Sequence, residues 1–105
     1  MRFENKQILA IAEFIQTIKP QENDRTRLEE CNILYNSEMP DCVILKYRLM
    51  GYRDGNEIDE LRFFCFEKDG THKDIRSIIK DPNARWSFYH HCKELYMEGG
   101  TLKHK

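Results

Sequence analysis

In Leu49-Met50-Gly51-Tyr52-Arg53-Asp54-Gly55-Asn56-Glu57-Ile58-Asp59-Glu60, the pair Asp54-Gly55 is a two-residue hairpin signal. A type I′ turn needs positive φ at both central positions, and Asp-Gly meets that need. With those two residues as the loop, Arg53 faces Asn56. Odd positions before the turn then share a face with even positions after it. The predicted strands cover residues 42–52 and 57–67. One face receives Val43, Leu45, Tyr47 and Leu49 opposite Phe66, Phe64, Arg62 and Glu60. Its continuous apolar patch makes it the expected core face. The other receives Ile44, Lys46, Arg48 and Met50 opposite Cys65, Phe63, Leu61 and Asp59, a mixture of bases and apolar groups.

Upstream of the hairpin, residues 27–35 read as a third strand. Cys31, Ile33 and Tyr35 share one face of it, and Leu28 and Leu34 the other. Residues 6–19 read as a helix, with Ile8, Ile11, Ala12, Ile15 and Ile18 at helical spacing. Asn5 is its expected N-cap and Pro20 its stop. Residues 20–26 are polar and predict a loop.

Downstream, Asp69-Gly70 closes the strand. Thr71 and Asp74 suggest a capping box for a short helix carrying Ile75, Ile78 and Ile79. Asp81-Pro82 starts another helix, with Asp as N-cap and Pro at the first helical position. This last helix is predicted to run to Glu98, with Gly99-Gly100 as its stop. Thr101–Lys105 then form a short mobile tail.

The expected fold is therefore one α+β domain over residues 1–105. It is a two-layer sandwich of a three-stranded antiparallel meander with helices on one face, in the order α-β-β-β-α-α. This order resembles that of the double-stranded RNA-binding domain, in topology alone. That likeness implies RNA binding, but residues 81–89 (Asp-Pro-Asn-Ala-Arg-Trp-Ser-Phe-Tyr) lack a lysine-rich helix start.

The composition bounds the class of function. The chain has 105 residues, 40% hydrophobic and 33% charged, a globular balance. No apolar run approaches the length of a membrane span, and Met1–Lys6 lacks an export-signal pattern. A cytoplasmic location is expected, without membrane contact. Cys31, Cys42, Cys65 and Cys92 form no CxxC motif and read as reduced, mostly buried thiols. Cys42 and Cys65 fall diagonally on one hairpin face. Adjacent His91 and Cys92 point about 100° apart on a helix and cannot chelate one ion together. No metal and no cofactor is expected. Residues 1–70 carry 10 Lys/Arg against 14 Asp/Glu, whereas residues 71–105 carry 7 against 4 and hold all four histidines.

No nucleophile elbow, phosphate-binding glycine loop or HExxH motif occurs, so the expectation is a protein that is not an enzyme. On a helix running to Glu98, Leu95, Phe88 and Cys92 make a core stripe, edged by Tyr96 and Tyr89. Lys93, Trp86, Met97 and His90 fall on the far side. Trp, Tyr and Met anchor interfaces, so Trp86, Tyr89, His90, Lys93 and Met97 form the expected partner-binding set. The reading is a small protein that docks onto a macromolecule, a protein first of all. Inhibitor, immunity or adaptor roles, of viral or mobile-element origin, suit its size. A homodimer is a variant of that reading. The alternative is an RNA- or DNA-binding module, or second interface, on the sheet face of Lys46, Arg48, Leu61 and Phe63.

Overall fold

The computed structural model describes residues 4–19, 25–99 and 101–104. Among the described residues, three helices and six strands follow one another: α1 (Asn5–Ile18), β1 (Thr26–Tyr35), β2 (Val43–Arg53), β3 (Asn56–Phe66), β4 (His72–Asp74), α2 (Ile75–Ile78), α3 (Pro82–His91), β5 (Lys93–Glu98) and β6 (Thr101–His104). The strands form one sheet in the order β4-β3-β2-β1-β5-β6, and every neighbouring pair is antiparallel. The protein is thus an α+β domain on a six-stranded antiparallel sheet.

The central hairpin has the expected register at every position, from Val43↔Phe66 to Arg53↔Asn56. Asp54 and Gly55 have φ values of 53° and 79°, the positive pair that the turn requires. Val43, Leu45, Tyr47 and Leu49 lie buried with Phe66 in one core, and Phe64 packs against it. Ile11 and Ile18 of α1 close that core. Phe14 of α1 meets the rings of Phe64 and Phe66 at centroid distances of 4.8 and 5.6 Å. Gln7 locks the start of α1 in place. Its side-chain amide donates to the Asp41 and Phe66 carbonyls at 2.7 and 3.1 Å, and its Oε1 accepts from the Glu4 backbone N–H at 3.0 Å. Glu4, not Asn5, is therefore the N-cap. Pro20, the expected stop, and most of the loop after it lie outside the described residues.

The helices do not share one face. Ile75 of α2 and Phe88 of α3 pack with Leu34, Ile44, Phe63 and Cys65 in a second core, on the opposite side of the sheet. The result is three layers rather than two. The reason lies in β2: Val43, Ile44 and Leu45 are consecutive and all fully buried. A strand whose neighbouring residues are all apolar is covered on both faces.

Two further corrections concern strands. A register shift between Leu28 and Glu30 marks a bulge in β1. The extra residue turns Leu28 onto the α1 face with Cys31 and Ile33, and Leu28 packs against the α1 core. The last helix ends at His91, because Cys92 adopts an extended conformation (φ −69°, ψ 138°). Residues 93–98, expected as helix, are β5. Thr101–His104, expected as a tail, form β6, and Glu98 pairs with Thr101 across the turn that Gly99 (φ 58°) begins. The order therefore departs from that of the double-stranded RNA-binding domain.

Near β4, Thr71 stays in the turn, its hydroxyl donating to Asp69 Oδ1 at 2.7 Å. Asp74 itself caps α2, accepting from the Arg76 backbone N–H at 2.8 Å.

Candidate docking surface

α3 forms where expected, and its geometry sorts the predicted binding residues. Asp81 accepts from the backbone N–H groups of Asn83 and Ala84 at 3.3 and 3.4 Å, with Pro82 opening the helix. Phe88 faces the sheet and is buried. Tyr89 also turns inward and stacks on Phe63, ring centroids 3.9 Å apart and planes 11° from parallel. Burial raises its phenol pKa. Trp86 and His90, four residues apart on the helix, point outward instead. Trp86 is 62% exposed, and its ring meets that of His90 edge-on at 4.8 Å.

The other two predicted residues lie elsewhere. Lys93 pairs with Tyr35 in the sheet, and Met97 follows the buried Leu95 two residues later on the same face of β5. That face belongs to α1. Met97 is 46% exposed and borders a small apolar cavity of about 210 Å3 with Ile8, Ala12 and Ile15 of α1. The five residues therefore divide into three groups: Trp86 and His90 on the outer side of α3, Tyr89 beneath it, and Lys93 and Met97 across the sheet.

The alternative set is divided as well. Phe63 is 5% exposed beneath Tyr89. Beyond α3 the same sheet face is open, and Leu61 is 42% exposed there. Both bases on this open part are matched by acids. Lys46 Nζ lies 3.3 Å from Glu30, and Arg48 donates two hydrogen bonds to the Asp59 carboxylate at 2.8 and 2.7 Å. The Arg48 hydrogen bond holds the Asp59 carboxyl below the usual value.

At the other end of this face, Met39, Cys42, Cys65 and Lys73 border a cleft of about 500 Å3 with Asp41 and Lys68. Burial first, and then the neighbouring Cys42 thiol, raise the pKa of the Cys65 thiol strongly. Sequence reasoning placed Cys42 and Cys65 on one face but did not bring Met39 to them, because Met39 belongs to the loop before β2. Cys92 is engaged separately, its thiol donating to the Phe88 carbonyl at 3.4 Å. Among the described residues, no three His, Cys, Asp or Glu side chains converge as a metal-holding group.

Comparison with protein-family models, curated proteins and solved structures finds no match to this chain. Among the described residues, no helix is long and apolar enough to cross a membrane.

Proposed function

We propose that the protein is a non-enzymatic docking module of inhibitor or adaptor type, which binds a protein partner through the outer side of α3. Trp86 is the anchor and His90 flanks it. The observation that carries this reading is the 62% exposure of Trp86 on a helix whose inner side is occupied by Phe88 and Tyr89. An indole held in water on a fixed helix is a preformed anchor, because little side-chain freedom remains to be lost on binding. The four free cysteines fit a reducing compartment, the setting proposed for this module.

The test compares wild type and Trp86→Ala as baits in an extract of the native source, at low and high salt. The expected result is a specific protein partner retained by wild type at both salt concentrations and lost with Trp86→Ala. The lone tryptophan also supplies a direct signal, since its emission should shift to the blue when a purified partner covers it. A partner held equally by both baits would overturn the reading. Capture that collapses steeply with salt would favour nucleic acid instead.

A further inference from the structure

We propose that Met39, Cys42 and Cys65 form a binding site for a soft, low-coordinate cation, copper(I), in the cleft between the loop before β2 and the β3–β4 edge. Three sulfur-bearing residues from two separate parts of the chain line this one cleft. Cys42 immediately precedes β2, in which Ile44 faces Cys65, so it lies diagonal to Cys65 on one sheet face. Met39 and Cys42 are half-buried beside the second core, whereas Cys65 is buried within it. An entering ion therefore meets Cys42 first and Cys65 behind it.

The donor chemistry selects the ion. Thiolate and thioether sulfur are soft ligands that favour copper(I), whereas hard cations need oxygen. Structural zinc takes four donors in a tetrahedron, and a set of three His, Cys, Asp or Glu is lacking among the described residues. Copper(I) accepts two or three sulfurs. As each cysteine S–Cu bond forms, the thiol releases its proton to solvent and the copper gives up an acetonitrile ligand; the Met39 thioether displaces acetonitrile without losing a proton. The copper remains copper(I), and nothing is oxidised.

Two thiolates on one monovalent ion leave a net negative charge. Lys68 and Lys73 line the cleft where that charge would form, alongside the acidic Asp41 and Glu67. Lys73 pairs with Cys65 across the β3–β4 ladder, and Lys68 lies on the cleft wall, 3.4 Å from Asp41. The other two cysteines serve as internal controls. Cys31 lies on the opposite face of the sheet, and Cys92 is bonded to the end of α3.

The test uses the full chain, reduced and then freed of reductant under argon. Copper(I) is supplied as its acetonitrile complex against a chromophoric copper(I) chelator. The expected result is one copper(I) per chain for wild type and Cys31→Ser. Losing an outer partner of a metal ligand costs roughly ten- to a hundred-fold in affinity, and losing a ligand costs no less. Cys42→Ser should therefore weaken binding at least about tenfold. Circular dichroism checks that this variant is folded, and its half-buried position makes it the safer choice than Cys65. Met39→Leu should lower affinity while keeping the stoichiometry. A wild-type chain that yields all its copper to the chelator overturns the site. So does a folded Cys42→Ser chain that binds as well as wild type, or a Cys31→Ser loss equal to that of Cys42→Ser. Unchanged affinity in Met39→Leu overturns the three-sulfur set.

Discussion

The rings of Phe63 and Tyr89 lie face to face at 3.9 Å, and this stack fastens α3 to the sheet. It also determines which part of that face remains open, because Phe63 is the last covered position before the exposed Leu61. Truncating Phe63 to alanine removes a buried ring and leaves Tyr89 without its partner. The expected cost is about 3–5 kcal/mol, measured by urea unfolding. A loss below about 1 kcal/mol would show that α3 does not roof this face.

Trp86 sits one turn from this stack and should behave in the opposite way. Its ring is largely in water and its main neighbour is His90. Trp86→Ala should therefore change stability by no more than about 0.5 kcal/mol. Thermal unfolding of the two proteins should superimpose, and wild-type fluorescence should show a water-exposed indole. A clear drop in melting temperature would mean that Trp86 belongs to the packing and would remove it as an anchor.

Gly51 shows a constraint of another kind. Its φ is 137°, and a Cβ there would collide with the Arg25 carbonyl oxygen. The chain is pinned at that point, since the Tyr52 N–H donates to the same carbonyl at 2.7 Å and the Thr26 hydroxyl donates to Tyr52 O at 3.0 Å. Gly51→Ala should cost at least about 2 kcal/mol, from backbone strain and the displaced β1 end. Equilibrium unfolding measures this, and a near-neutral variant would contradict the close approach.

Asp74 should make stability depend on pH at the acid end. Burial pushes its carboxyl up, but hydrogen bonds from the Arg76 side chain and backbone, with the charges of Arg76 and Arg62, outweigh burial and hold it below 3.8. The folded value thus lies under the unfolded one. The stabilisation is complete above about pH 4 and is lost as pH falls through the folded value. Asp74→Asn should therefore be less stable than wild type at neutral pH, with the gap closing below pH 3.8. Urea midpoints across that range test the sign. A gap that persists at the lowest pH would assign the effect to the α2 cap alone.

The hairpin and its faces were legible because two independent signals agree. Asp54-Gly55 demands one register, and that register gathers Val43, Leu45, Phe64 and Phe66 into one continuous apolar patch. The bulge in β1 was not legible, since no residue type marks it. The C-terminal third misled for a definite reason. Phe88, Cys92 and Leu95 follow helical spacing, while Leu95 and Met97 follow strand spacing. Gly99-Gly100 suits both a helix stop and a tight turn. Local patterns balance there, so a contact distant in sequence decides. Trp86 and His90 were legible as surface because they lie before the helix ends; Lys93 and Met97 were misplaced because they lie after it.

That distant contact is made by Asn36, which is fully buried between β1 and β2. Its side-chain amide donates to the Phe88 carbonyl at 2.9 Å, and its Oδ1 accepts from the Glu38 backbone N–H at 2.9 Å. Phe88 O is thereby held by a partner 52 residues away in sequence, and the chain turns extended at Cys92. Asn36→Ala would leave the Phe88 carbonyl with only the weak Cys92 thiol donor and would remove the acceptor of the Glu38 N–H. The expected cost is about 1–3 kcal/mol, as for removing one member of a buried hydrogen bond. The location of the damage distinguishes this from a general loss. Amide exchange should accelerate first at the end of α3 and in β5, while the β2–β3 hairpin keeps its protection. Equal loosening of both regions would show that Asn36 supports the whole domain rather than the point where helix gives way to strand.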